Sequence, residues 1–280
     1  MHDDPCRNDL IANALARYRP LITCINILEI AATASRIRCE HLLTLAQQLS
    51  DGTSPLSMPN KILARRTRGY VRSEPTLTLT ILKDEAVFGY LLRNPSLCGK
   101  EQQEKLLQKK RSIEDTFKKA HKNARARLGD FFCQTPESKP KSLFRFFRQS
   151  TDLIYEFVQA EYEKMTSQTL SKTDLWKLFK HVPDWPLFLA GWGHEIFARA
   201  ISSHYGVKGK PGSLDLWSAS YLPYCDVFVT SDTGGSKGKG RGGQYRALRL
   251  LNALVLPNPA KLTKTRIIRF QVFRQELLHS

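Results

Sequence analysis

Three aspartates, Asp215, Asp226 and Asp232, stand close together in the stretch GSLDLWSASYLPYCDVFVTSD, which runs from Gly212 to Asp232. Two carboxylates that face one crevice repel each other, and a divalent cation held through their oxygens is the usual remedy. The stretch also carries the elements that would bring the acids together. Asp215 falls one residue after an expected helix start, and Leu216, Ala219, Tyr221 and Leu222 recur at helical spacing. That helix is expected to stop at Pro223. Val227, Phe228 and Val229 then form a short apolar run bounded by acids, the pattern of a buried strand in a parallel sheet. Asp232 would lie just past the carboxyl end of that strand, where the crevices of open α/β sheets collect functional groups.

In order, Asp215, LWSASYLPYC, Asp226, VFVTS and Asp232 resemble the C-terminal signature of the PIN domain. The members of that family are metal-dependent nucleases, many of them toxins of bacterial toxin-antitoxin pairs. Glu29, the one charge inside the apolar run LITCINILEIAATAS, is similar to the family's second acidic position. The resemblance implies an α/β fold, a PIN-like parallel sheet flanked by helices, with Glu29, Asp215 and Asp232 as catalytic ligands of Mg²⁺ or Mn²⁺. Asp226 would be a further ligand or would orient one. The cation would lower the pKa of a bound water and neutralise charge on the phosphate under attack. RNA is the implied substrate and an antitoxin protein the implied partner, with a homodimer left open.

One part of the pattern is missing. The family's first strand ends in Asp-x-Asn, and nothing apolar precedes Asp3, Asp4 or Asp9. Two expectations follow: a start that lies further upstream, or a site that binds RNA without cutting it. A third reading, of another class, is a helical interaction module.

The whole chain supports a polyanion partner. It has 280 residues and a formal net charge of +17, and an excess of Lys and Arg favours nucleic acid through counterion release. Arg65, Arg66 and Arg68 cluster on an expected short helix, and guanidinium forks suit phosphates; a solvated face is the alternative. Lys237, Lys239 and Arg241 lie in TGGSKGKGRGG, either a basic flap that grips RNA or a disordered loop. That glycine run lacks the Lys-Ser or Lys-Thr of a P-loop, and His194-Glu195 fails the HExxH zinc pattern because Ala198 stands where the second His would be. The six cysteines make no CxxC pair, so a zinc site and a disulfide framework are both unsupported. No apolar run is long enough to span a bilayer, which gives a soluble, cytoplasmic expectation with no membrane partner.

The positioning elements are expected as follows. A helix covers Asn8 to Arg17, a short strand covers Leu21 to Ile25 and passes into a helix carrying Glu29, and further helices cover Arg38 to Leu49 and Lys61 to Val71. TLTLTI, near Thr76, suits an edge strand or a loop. Residues 84–183 read as an all-helical insertion between the halves of a single PIN-like domain spanning 1–280, its long member running from Gly99 to Leu128. After Asp232 come an amphipathic helix in QYRALRLLNAL, a strand in RIIRF and a terminal helix, closing a parallel unit.

Overall fold

The computed structural model describes residues 4–32, 35–51, 53–74, 83, 86–134, 151–189, 217–230 and 265–279. The described chain is mostly helical. It contains α1 (Arg7–Arg17), α2 (Cys24–Ala31), α3 (Arg36–Ser50), α4 (Pro59–Val71), α5 (Val87–Arg93), α6 (Lys100–Gln134), α7 (Thr151–Thr166) and α8 (Lys172–His181). Two 3₁₀ turns (Pro95–Leu97 and Ala219–Tyr224), strands β1 (Val227–Thr230) and β2 (Arg266–Arg269), and α9 (Phe270–Leu278) accompany these helices.

Local chemistry sets several helix starts. Thr23 and Asn26 form a reciprocal cap at α2: the Thr23 hydroxyl oxygen accepts from the Asn26 N–H at 3.2 Å, and the Asn26 carbonyl oxygen accepts from the Thr23 N–H at 3.0 Å. The Ser35 hydroxyl caps α3 by accepting from the Arg38 N–H and the Ser171 hydroxyl caps α8 by accepting from the Asp174 N–H, while Pro59 occupies the first turn of α4, where its missing N–H costs nothing. Asp51 closes α3 in the left-handed conformation at φ 49°, which a short polar side chain tolerates.

The Thr23 cap also explains a correction. The strand expected over Leu21 to Ile25 is absent. Thr23 makes an isolated parallel bridge to Leu56, with the Cys24 N–H donating to the Leu56 carbonyl at 2.9 Å, and the chain turns into α2 at once. A side chain that satisfies the first turn's orphan donors favours helix over ladder at that point. The apolar run there reads equally as strand or buried helix, and its burial decides for helix: Cys24, Ile25, Ile27, Leu28 and Ala31 all point inward.

A second correction concerns the turn before β1. Trp217 and Ser218 are helical as expected, the residues just before them lie outside the described ones, and from Ala219 the chain tightens into a 3₁₀ turn that carries Pro223 inside it and ends at Tyr224. Tighter i to i+3 bonding accommodates a proline near the end of so short an element. Past it the sheet is as expected in sense and narrower in extent. β1 and β2 pair in parallel, Val227 opposite Arg266 through Thr230 opposite Arg269, and among the described residues the sheet has these two strands only. The TLTLTI segment and the QYRALRLLNAL helix lie outside the described residues.

Two apolar cores meet at the 3₁₀ turn. The first joins α2, α3, α5 and the start of α6 through Ile27, Leu28, Leu43, Phe88, Leu92 and Leu106, and takes in Tyr221. The second joins Leu63 of α4 with Val158 and Tyr162 of α7, Leu178 and Phe179 of α8, and Trp185, and takes in Leu222. Residues from 84–183 thus line both cores. Phe228 of β1 and Ile267 of β2 lie against the second. A third, small core of Leu10, Ala14 and Leu277 ties α1 to α9. Among the described residues no helix is long and apolar enough to cross a membrane.

Candidate functional site

Glu29 sits on the outer side of α2, its neighbours Ile27 and Leu28 being wholly buried. Its side chain is 50% exposed, and its Oε1 lies 2.9 Å from the Lys110 ammonium of α6. A helix that buries one stripe against α3 and α6 must present its charged position to the rim, and the rim here carries a lysine. The positive charge facing Glu29 therefore comes from within the chain.

Asp226 immediately precedes β1 and is exposed, and its carbonyl accepts the Arg266 N–H at 2.8 Å, which pins the start of β2. Thr265 reinforces this corner by donating its hydroxyl to the Leu222 and Cys225 carbonyls. Asp215 and Asp232, like Lys237, Lys239 and Arg241, lie outside the described residues. Glu29 and Asp226 are thus the two expected ligands within them. Among the described residues no group of three or more His, Cys, Asp or Glu side chains converges to hold a metal ion. Of the four expected ligands, Glu29 faces the Lys110 ammonium and Asp226 lies on the surface, and the other two lie outside the described residues.

The arginines of α4 divide by face. Arg68 is exposed, and its Nε donates to the Ala64 carbonyl of its own helix at 3.2 Å. Arg65 is half-buried, its Nη1 lying 3.4 Å from the Lys83 carbonyl. Arg66 turns inward, with Nε 3.4 Å from Asp184 Oδ2 and side chains 12% and 2% exposed.

Asp184 is the residue that sequence reasoning missed. The Tyr224 hydroxyl donates to its Oδ1, and its Oδ2 is buried without a direct hydrogen bond among the described residues and faces the Arg66 guanidinium. Burial pushes the Asp184 carboxyl above its ordinary range, and the hydrogen bond from Tyr224 and the charge of Arg66 oppose that rise without cancelling it. Burial, then the Asp184 charge, pushes the Tyr224 hydroxyl up in turn. Beside them the Trp185 indole donates to the Thr67 hydroxyl at 3.0 Å, and that hydroxyl donates to the Leu63 carbonyl at 2.7 Å. Asp184 falls in HVPDWP, where an acid between prolines reads as a turn residue, so no local signal marks it.

No family model, curated protein or solved structure matches this chain. Its chemistry has to be read from its own surfaces. The Arg66, Asp184 and Tyr224 cluster joins α4, the helical residues 184–189 and the 3₁₀ turn, and its reactive atoms are enclosed. Enclosure of that kind suits a structural joint better than a site that exchanges substrate.

Among the described residues, an extended charged surface lies on the outer side of α6. Gln103, Leu106 and Ile113 lie toward the core, and Gln103 donates to the Ala31 carbonyl at the end of α2 at 3.2 Å. On the opposite side Arg111, Lys118 and Lys122 are exposed. Spaced by seven and then four residues, they fall on one face and span about 16 Å along the axis. Lys118 pairs with Asp115 at 2.9 Å, both ends exposed, which is the weak kind of ion pair that a phosphate can displace.

Proposed function

We propose that the protein binds RNA through the basic outer face of α6, assisted by the exposed Arg68 of α4. The observation that carries this is the exposed row of Arg111, Lys118 and Lys122 in a chain whose 43 Lys and Arg outnumber its 26 Asp and Glu. Such a row neutralises phosphates and releases their counterions, so affinity falls steeply with salt and depends little on base sequence. The test is fluorescence anisotropy with a single-stranded RNA oligonucleotide over a salt series. Replacing Arg111, Lys118 and Lys122 together with Gln should lower the slope of log K against log salt by about 2, at ~0.7 for each contact to a single strand. An unchanged slope in a folded variant would remove α6 from the interface.

A second reading is metal-dependent hydrolysis of RNA by a PIN-like site with an antitoxin protein as its regulator. It is favoured by the parallel pairing of β1 with β2 and by the position of Asp226 at the entry to β1, with Asp232 two residues beyond the strand's end. Cleavage of a mixed RNA pool in the presence of Mn²⁺, lost in Asp215→Asn, would support it. RNA retained without cleavage, by the wild type and by Asp215→Asn alike, leaves binding as the function.

A further inference from the structure

Cys39, on α3, and Cys98, which follows the short 3₁₀ turn Pro95–Leu97 after α5, are 59 residues apart in sequence, and their Sγ atoms lie 3.6 Å apart. Both are buried within the first core, at 0% and 2% exposure, and the α3 helix packs on both α5 and the 3₁₀ turn. Both are free thiols. We propose that this pair is a peroxide-oxidised modification site, closing to a disulfide that staples α3 to the corner between α5 and α6.

The geometry needs only a modest adjustment. A disulfide holds its sulfurs at about 2 Å, so closure moves them together by roughly 1.5 Å, within reach of small side-chain rotations. The two thiols are also unequal, as a sequential reaction requires. The hydrogen bond from Cys39 brings the Cys98 thiol down to about 7, with burial opposing and the Arg36 charge assisting. The same bond, together with burial, pushes Cys39 well up. Cys98, beside Arg36, is thus the more readily ionised of the two and Cys39 the one that keeps its proton.

The reaction balances with hydrogen peroxide, an oxidant little larger than water and therefore suited to a buried pair. The Cys98 thiolate attacks one peroxide oxygen, the O–O bond breaks, and hydroxide leaves, giving a sulfenic acid. The Cys39 sulfur then attacks the Cys98 sulfur, the S–O bond breaks, and the Cys39 proton joins the departing hydroxide as water. The two sulfurs lose two electrons in total and the peroxide gains them, so two thiols and one peroxide yield one disulfide and two waters. A dithiol reductant reverses it by exchange.

The experiment treats the full-length native protein with hydrogen peroxide and maps its non-reduced peptides by mass spectrometry. The expected product is a Cys39–Cys98 cross-linked peptide, an intact mass lower by two hydrogens, and a Tm raised by roughly 10 °C because the link closes a long loop. Dithiothreitol should restore the starting mass and Tm. Cys98→Ser should abolish the link, whereas Cys24→Ser, in the same core, should leave it. The mapping of wild-type protein needs no variant, so the test stands even where Cys98→Ser fails to fold. Oxygen addition at either cysteine without a cross-link, or a link that forms only in denatured protein, overturns the proposal.

Discussion

Two Asp–Arg pairs hold distant parts of this chain together, and they behave in opposite ways. Asp184 and Arg66 meet inside the second core, with Tyr224 as a third member. Asp4 and Arg274 meet near the chain's ends, where the guanidinium makes a two-pronged contact at 2.6 and 3.2 Å and joins the segment before α1 to α9. In the core, burial outweighs the favourable partners and the carboxyl is pushed up. At the ends, the hydrogen bond from Arg274, followed by the Cys6 backbone N–H, holds the Asp4 carboxyl below its ordinary range. The same two side chains therefore give opposite dependences on pH, because the surroundings decide whether desolvation or attraction wins.

The largest effect should come from emptying the core pair. Asp184→Ala leaves the Arg66 guanidinium and the Tyr224 hydroxyl buried with no acceptor, and should cost roughly 3–5 kcal/mol in urea denaturation. A sharper form of the experiment removes both charges. Arg66→Met with Asp184→Leu keeps volume and removes the buried guanidinium together with its carboxylate, leaving the Tyr224 hydroxyl without its acceptor, and should recover part of that loss. If the double variant is as unstable as the single one, the pair contributes more than the mutual compensation of two buried charges.

Next in size is Tyr224→Phe, which removes the donor to Asp184 Oδ1 while keeping the ring. A buried carboxylate that loses its hydrogen bond should cost about 1–3 kcal/mol. A loss of that size with an unchanged denaturant m-value would place the effect in the native joint, not in the unfolded ensemble.

The two pairs also show where sequence reading stops. Helices α1, α3, α4, α6 and α9 are legible because each repeats apolar residues at helical spacing, and β1 and β2 are legible as short apolar runs bounded by polar residues. Their parallel pairing is what the expected strand, helix, strand order implies, the helix itself lying outside the described residues. Leu21 to Ile25 suits a strand or a capped helix start alike, because Thr23 serves in either, and the outcome depends on what lies beneath. Arg66 and Asp184 were invisible as a pair: each has a local explanation, a basic helix face and a turn acid, and only the packing of α4 against residues 184–189 brings them together. Cys39 and Cys98 were unpaired in the sequence for the same reason. Long-range contacts leave no periodic trace. The expected carboxylate site rests on a pattern of acids, of which the fold positions Glu29 beside Lys110 and Asp226 just before β1, while Asp215 and Asp232 lie outside the described residues.

The pH dependence separates the pairs more cleanly than their size. Asp184 has a folded pKa above its unfolded one, so the stability it contributes is fully present below about 3.8 and is lost as pH rises through the folded value. Asp184→Asn should therefore flatten a decline in stability that the wild type shows on going from acid toward neutral pH.

Asp4 should give the smallest effect and the opposite sign. Its folded pKa lies below the unfolded value of 3.8, so its contribution is present above that pH and disappears as pH falls through the folded value. Asp4→Asn should then lower Tm slightly at pH 7 and leave it unchanged in strong acid, where the wild-type carboxyl is already protonated. Salt gives an independent check. The Arg274 side chain is 32% exposed, so ions reach this pair, and raising salt to 1 M, where charges are screened beyond about 3 Å, should erase most of the difference between Asp4→Asn and wild type. The Asp184→Ala deficit should survive the same salt, because no ion reaches a carboxyl that is 2% exposed. Equal salt sensitivity in the two variants would mean that the Arg66 and Asp184 pair opens to solvent in the native state, and the distinction between a buried joint and a surface clamp would fail.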